Sequence, residues 1–144
     1  MRRLFKFLSL PTHKKILLIK VAFLLMIMKL IVFLFPFKLV KRIIESLSAV
    51  KPLAGQSTDK LQAIKWAIDA ASNYIPFTKT CLIKSLALHI LLVRNGFEST
   101  LNIGVTKDES KKLNAHAWIE SDGEVLIAKE HAYTRLLSIE GWAK

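Results

Sequence analysis

The chain has 144 residues, enough for one domain whose single core buries about 70% of the surface its unfolded chain would expose. Its 22 Lys and Arg against 11 Asp and Glu give a formal net charge of +11, which favours acidic peptides, anionic lipid or nucleic acid as partners without choosing among them. A single cysteine excludes an intramolecular disulfide, and no Cys-x-x-Cys pair or His/Cys cluster points to zinc, so the expectation is a cytoplasmic protein with a reduced thiol and neither metal nor cofactor.

The first element is the apolar stretch 16–37, interrupted by Lys20 and Lys29. Its longest uncharged runs, Val21–Met28 and Leu30–Phe37, fall well short of the roughly 20 apolar residues a spanning helix needs. A secretory signal is not expected either, since the apolar core is broken and no small-x-small cleavage site follows closely. Lys20 and Lys29 are nine residues apart, which at about 100° per residue puts them on opposite sides of a helix, so they mark no common polar face. One or two helices packing on the domain or on a partner are expected here, with shallow membrane contact as the alternative. Pro36 should end or kink this region, and Lys38–Leu47 reads as a short basic helix.

Pro52 and Gly55 lie in a linker, 48–57, that divides a basic apolar helical region, 1–47, from the domain expected over 58–144. Thr58 is the expected N-cap of a helix through Asn73, with Leu61, Ile64, Ile68 and Ala71 at three- and four-residue steps. Ile75-Pro76 breaks the chain, and Thr80 is the expected cap of a second helix from Cys81 to about Asn95, ended by Gly96. Beyond Gly96 the period becomes two. Leu101, Ile103 and Val105 alternate with polar or small residues as in a half-buried strand; Lys107–Lys112 is a charged loop, and a second strand runs from about Asn114 to Ser121. Asp122-Gly123 predicts a type I′ hairpin turn into a third strand, Glu124–Ala128. Helices first and an antiparallel sheet after them define an α+β chain.

Cysteine chemistry needs a thiolate, which the unpaired N–H groups at the start of a helix favour and Cys81 has within reach; the same amides can serve as an oxyanion hole. The competing reading makes Cys81 a small buried apolar residue. Of the four histidines, His89 is eight residues on along the same helix and about 12 Å away, too far to touch the thiol. His13 lies in the basic amino-terminal lead. His116 is mid-strand, sharing a face with Trp118 and Glu120 while Ala115, Ala117 and Ile119 share the other; it is a candidate base, or else a core histidine with a satisfied hydrogen bond.

Residues 80–96 (TCLIKSLALHILLVRNG), then LNIGV at 101–105 and HAWIE-x-DG at 116–123, resemble the leader peptidases of lasso-peptide biosynthesis. In that family the peptidase is the carboxy-terminal half of a longer, microcin-type maturation B protein or a stand-alone chain. The resemblance is specific over 80–128 and loose over the basic amino-terminal region. It implies a papain- and transglutaminase-like α+β cysteine peptidase domain with Cys81 as nucleophile and His116 as general base. The implied reaction is hydrolysis of the bond between leader and core of a ribosomally made precursor, before a separate ATP-dependent cyclase closes the ring.

The family commonly has an aspartate twelve residues after the histidine, and this chain departs from it with Ala128. Glu130, just past the third strand, is the candidate third member as a group orienting the imidazole, and Asn114, two residues before His116, is the alternative. The expected partners are the precursor peptide, the cyclase and a small leader-binding protein, for which Leu17–Ile44 is a docking surface. The main rival class is a non-enzymatic basic module held on anionic membrane or a partner protein. Nucleic acid is not expected as a partner, because no binding motif or aromatic stacking array accompanies the charge.

Overall fold

A computed structural model of the protein describes residues 8–49, 57–74, 81–107, 110–111, 113–127 and 134–141. Four helices, α1 (Thr12–Leu34), α2 (Phe37–Ser48), α3 (Thr58–Tyr74) and α4 (Cys81–Arg94), precede strands β1 (Ser99–Lys107), β2 (Leu113–Ser121), β3 (Glu124–Ile127) and β4 (Thr134–Gly141). The strands form one antiparallel sheet in the order β3-β2-β1-β4, so the α+β class read from the sequence is borne out. The fourth strand was not anticipated; it pairs with β1 on the edge opposite β3.

The helix α1 is one unbroken element, and by length and composition alone it is apolar enough to cross a membrane. Leu18, Val21, Leu25 and Met28 recur on one side at three- and four-residue steps and are buried against α3 and α4. At about 100° per residue, Lys20 and Lys29 fall on the two margins of that buried stripe, which is why they define no single polar face. Lys14 reaches over the ring of Trp66 in α3, 5.6 Å from its centroid. Pro36, extended at φ −63° and ψ 147°, separates α1 from α2 because its ring cannot continue the helical ladder. Every fourth residue of α2 then turns inward, Val40, Ile44 and Ser48, while Lys41 pairs with Glu45 at 3.6 Å on the outside.

Side chains of α1 and α2 share one apolar cluster with α3, α4 and the sheet residues Leu101, Ala117 and Ile119. The core therefore continues across the expected linker at 48–57, of which residues 50–56 lie outside those described. The cap of α3 is Ser57, one residue before the expected Thr58: the Lys60 amide donates to its Oγ at 3.4 Å, and the Leu61 amide to its carbonyl at 3.1 Å. The expected cap of α4, Thr80, lies outside the described residues. At the other end of α4, Gly96 at φ +83° closes a Schellman motif in which the Phe97 amide reaches the Leu92 carbonyl and the Gly96 amide that of Val93.

The β2–β3 turn has Asp122 at φ 50° and Gly123 at φ 79°, the two positive values a type I′ hairpin requires. A Cβ added at Gly123 would meet nothing within 4 Å, so backbone conformation and not space demands glycine there. Gly123→Ala should accordingly cost roughly 1 kcal/mol with the fold retained, read as a small drop in urea midpoint at unchanged m.

One histidine and two serines inside this core are matched to one another. His89 of α4 is fully buried, with Nε2 2.9 Å from Ser48 Oγ at the end of α2 and Nδ1 2.9 Å from Ser99 Oγ at the start of β1. A serine hydroxyl both donates and accepts, so the neutral ring is satisfied in either tautomer. Burial lowers its pKa from 6.5 to about 4, because a charged imidazole would lose its hydration. The unfolded chain therefore takes up a proton below about pH 6.5 that the folded chain refuses until about pH 4. Stability present above pH 6.5 should be lost as pH falls toward 4, by on the order of 3 kcal/mol. Urea melts between pH 7.5 and 4.5 check this: His89→Gln should be less stable at the high end and show a flatter dependence across that window.

Candidate active site

Cys81 is the first residue of α4 and is partly exposed, while Ile83 and the run Ser85–Ile90 behind it are buried. The thiol thus stands where the amino end of an otherwise enclosed helix meets the surface.

Ser85, one turn further in, is fully buried and donates its hydroxyl to the carbonyl oxygen of Ala117 on β2 at 3.1 Å. The bond sets the height of α4 against the strand. Cys81 precedes Ser85 by about 6 Å of helix axis, and His116 precedes Ala117 by one Cα step of about 3.8 Å. The first turn of α4 and the His116 segment of β2 thus each lie within a few ångströms, along their own element, of the Ser85–Ala117 bond, and β2 packs against α4.

Alternation then decides where the ring points. Ala117 and Ile119 enter the core shared with α4, so the His116 side chain belongs to the other face with Trp118 and Glu120, as the sequence pattern implied. On that face the His116 and Trp118 rings stack, 6.5 Å between centroids and 16° apart in plane, and Trp118 Nε1 donates to Glu120 Oε1 at 2.9 Å. Glu120 is thus engaged by the indole, and the imidazole is flanked along the strand by an aromatic wall. Across the ladder, the residue facing His116 is Gly104 of β1, which adds no side chain beside the imidazole.

Asn114 is placed on β2 opposite Thr106, two residues before His116. Glu130 and Ala128 lie outside the described residues, as does His131. His13 is exposed at the start of α1, and His89, excluded as the base on distance, is held by its two serines. The role of Ser85 went unrecognised in the sequence, where it reads equally as a cleft or a packing residue; its one signal is the four-residue step from Cys81 that puts both on one side of α4.

A transglutaminase-like superfamily domain matches residues 27–138, more than half of the chain, and the chain belongs to that superfamily. The match opens inside α1, so that the last third of this helix and all of α2 fall within the matched region. Members of the superfamily are commonly cysteine peptidases or transglutaminases. No curated protein and no solved structure matches the chain.

Ser85→Ala should lower stability by about 1–2 kcal/mol, because the Ala117 carbonyl loses its hydroxyl partner inside the core. Urea unfolding of the variant checks the value, and a cost near zero would mean that the hydroxyl contributes little to holding α4 on β2.

Proposed function

We propose that the protein is a cysteine peptidase that removes the leader from a lasso-peptide precursor, with Cys81 as nucleophile and His116 as base. The observation that carries this reading is a partly exposed cysteine at the first position of α4, with His116 on the strand β2 that packs against this helix, in a transglutaminase-like domain. In the proposed reaction His116 takes the thiol proton and the thiolate attacks the carbonyl of the leader–core bond. Amides of the first turn of α4 hold the oxyanion. Collapse of the tetrahedral intermediate breaks the C–N bond, and the imidazolium returns its proton to the leaving amine, which is the amino terminus of the core. Water, deprotonated by His116, then cleaves the thioester, releasing the leader as a carboxylate and restoring the thiol.

Glu130 is the proposed orienting group for the imidazole, and Asn114 its alternative. The freed amine is the substrate of a separate ATP-dependent cyclase, and a separate leader-binding protein presents the precursor. Tethering of this kind makes cleavage intramolecular at roughly millimolar effective concentration, so the isolated chain should be slow and strongly accelerated by that protein.

Cys81→Ala should abolish cleavage of purified precursor without loss of fold, since it removes the nucleophile and little volume. His116→Ala should be comparably inactive, and its thiol should react more slowly with iodoacetamide near neutral pH. A folded Cys81→Ala variant that still cleaves sinks the proposal, and an ordinary alkylation rate for wild-type Cys81 favours the non-enzymatic alternative. Loss of turnover in Glu130→Gln assigns the third role to the glutamate; loss in Asn114→Ala alone moves it to the asparagine.

A further inference from the structure

We infer that the outer face of α1 rests in the surface of an anionic lipid bilayer, with the helix axis in the membrane plane and the rest of the domain in water. Ile16, Ile19, Phe23, Met26, Leu30 and Phe33 follow one another at steps of three, four, three, four and three, so they form one ridge along the helix. All six are exposed, Phe23 to 67% and Phe33 to 84%. The ridge runs on the side away from Leu18, Val21, Leu25 and Met28, the stripe that packs into the core. A solvent-facing apolar ridge along more than four turns of helix marks a surface that meets something else.

Charge selects the occupant. Lys20 and Lys29 flank the ridge on its two margins, Lys15 stands at its amino end, and Lys38 and Arg42 lie just past its carboxyl end. No Asp or Glu occurs between Thr12 and Arg42. A second copy seated on the ridge would bring these same lysines against their counterparts, like charge on like charge. An anionic bilayer offers an apolar bed for the ridge and negative headgroups for its lysines at once, each favourable near the surface and screened by salt. A spanning orientation is inconsistent with the fold. To cross the bilayer, α1 would have to withdraw Leu18, Val21, Leu25 and Met28 from the core they share with α2, α3 and α4. Immersion of the outer face alone, to about 5–10 Å, leaves that packing intact.

This inference stands on α1 and is independent of the chemistry at Cys81. Its test is co-sedimentation of the full chain with sucrose-loaded vesicles of phosphatidylcholine alone or with about one-third phosphatidylglycerol. Wild-type protein should bind the anionic vesicles, more weakly as salt is raised, and bind the neutral ones poorly. Phe23→Ser combined with Phe33→Ser should weaken binding by more than about tenfold, with circular dichroism and thermal midpoint unchanged because both positions are exposed. Lys15→Glu combined with Lys20→Glu, which leaves the ridge intact, should weaken binding to anionic vesicles only. Failure of the wild type to bind, equal binding of the serine variant, or equal affinity for neutral vesicles overturns the inference. A dimer that the serine substitutions convert to monomer, without vesicle binding, assigns the ridge to a second copy and overturns it as well.

Discussion

The rest of the structure depends on the enclosure of α4. Nine of its fourteen residues are buried, and α1, α2, α3, β1 and β2 all pack against it. A helix apolar on every side finds its stable place at the centre of a domain, and the other elements are arranged by the need to cover it. Enclosure also makes demands on the polar residues the helix carries. Ser85 meets the Ala117 carbonyl, and His89 is bracketed by Ser48 and Ser99, so α2, α4 and the sheet are tied by directional bonds as well as by burial. An unsatisfied hydroxyl or a protonated imidazole in this position would cost more than the bond itself contributes, which makes these contacts specific as well as cohesive.

The same enclosure explains where chemistry can occur. A helix covered along its length meets solvent at its ends, and its amino end is also where unpaired amides and the helix dipole favour an anion. Cys81 occupies that end. The bond from Ser85 to Ala117 ties α4 to β2 next to His116 in the chain, while Trp118 walls the imidazole along the strand and Gly104 leaves the facing position without a side chain. Membership of the transglutaminase-like superfamily is consistent with a cysteine peptidase arrangement here, and the removal of a lasso-peptide leader is our reading of which substrate it serves.

The helix α1 does two jobs with two faces. Its inner stripe completes the core over α3 and α4, and its outer ridge is as apolar as the inner one but faces solvent. This accounts for a segment whose hydropathy resembles that of a membrane span while its packing is that of a domain helix. Length and composition are blind to which side of a helix is already occupied.

Much of the local structure was legible in the chain itself. Pro36 divides two helices because it lacks an N–H, Gly96 ends α4 because the Schellman motif needs positive φ, and Asp122-Gly123 turns β2 into β3 for the same reason. The period-two run in β2 correctly put His116 with Trp118 and opposite Ala117. Cys81 at a helix start and His116 on a strand were legible as positions, while their pairing comes from the family resemblance and Glu130 rests on its sequence position alone. What local pattern could not supply was partnership at a distance. Strand β4 was missed because Leu136-Leu137 breaks the alternation and its pairing with β1 joins residues 29 to 42 positions apart. Ser85 finds its acceptor 32 residues away, and His89 one of its serines 41 residues away. Dihedral preference and periodicity act within a few residues and are therefore written in the sequence; which buried hydroxyl meets which carbonyl, and which face of α1 is left exposed, is settled only when distant segments compete for the same core.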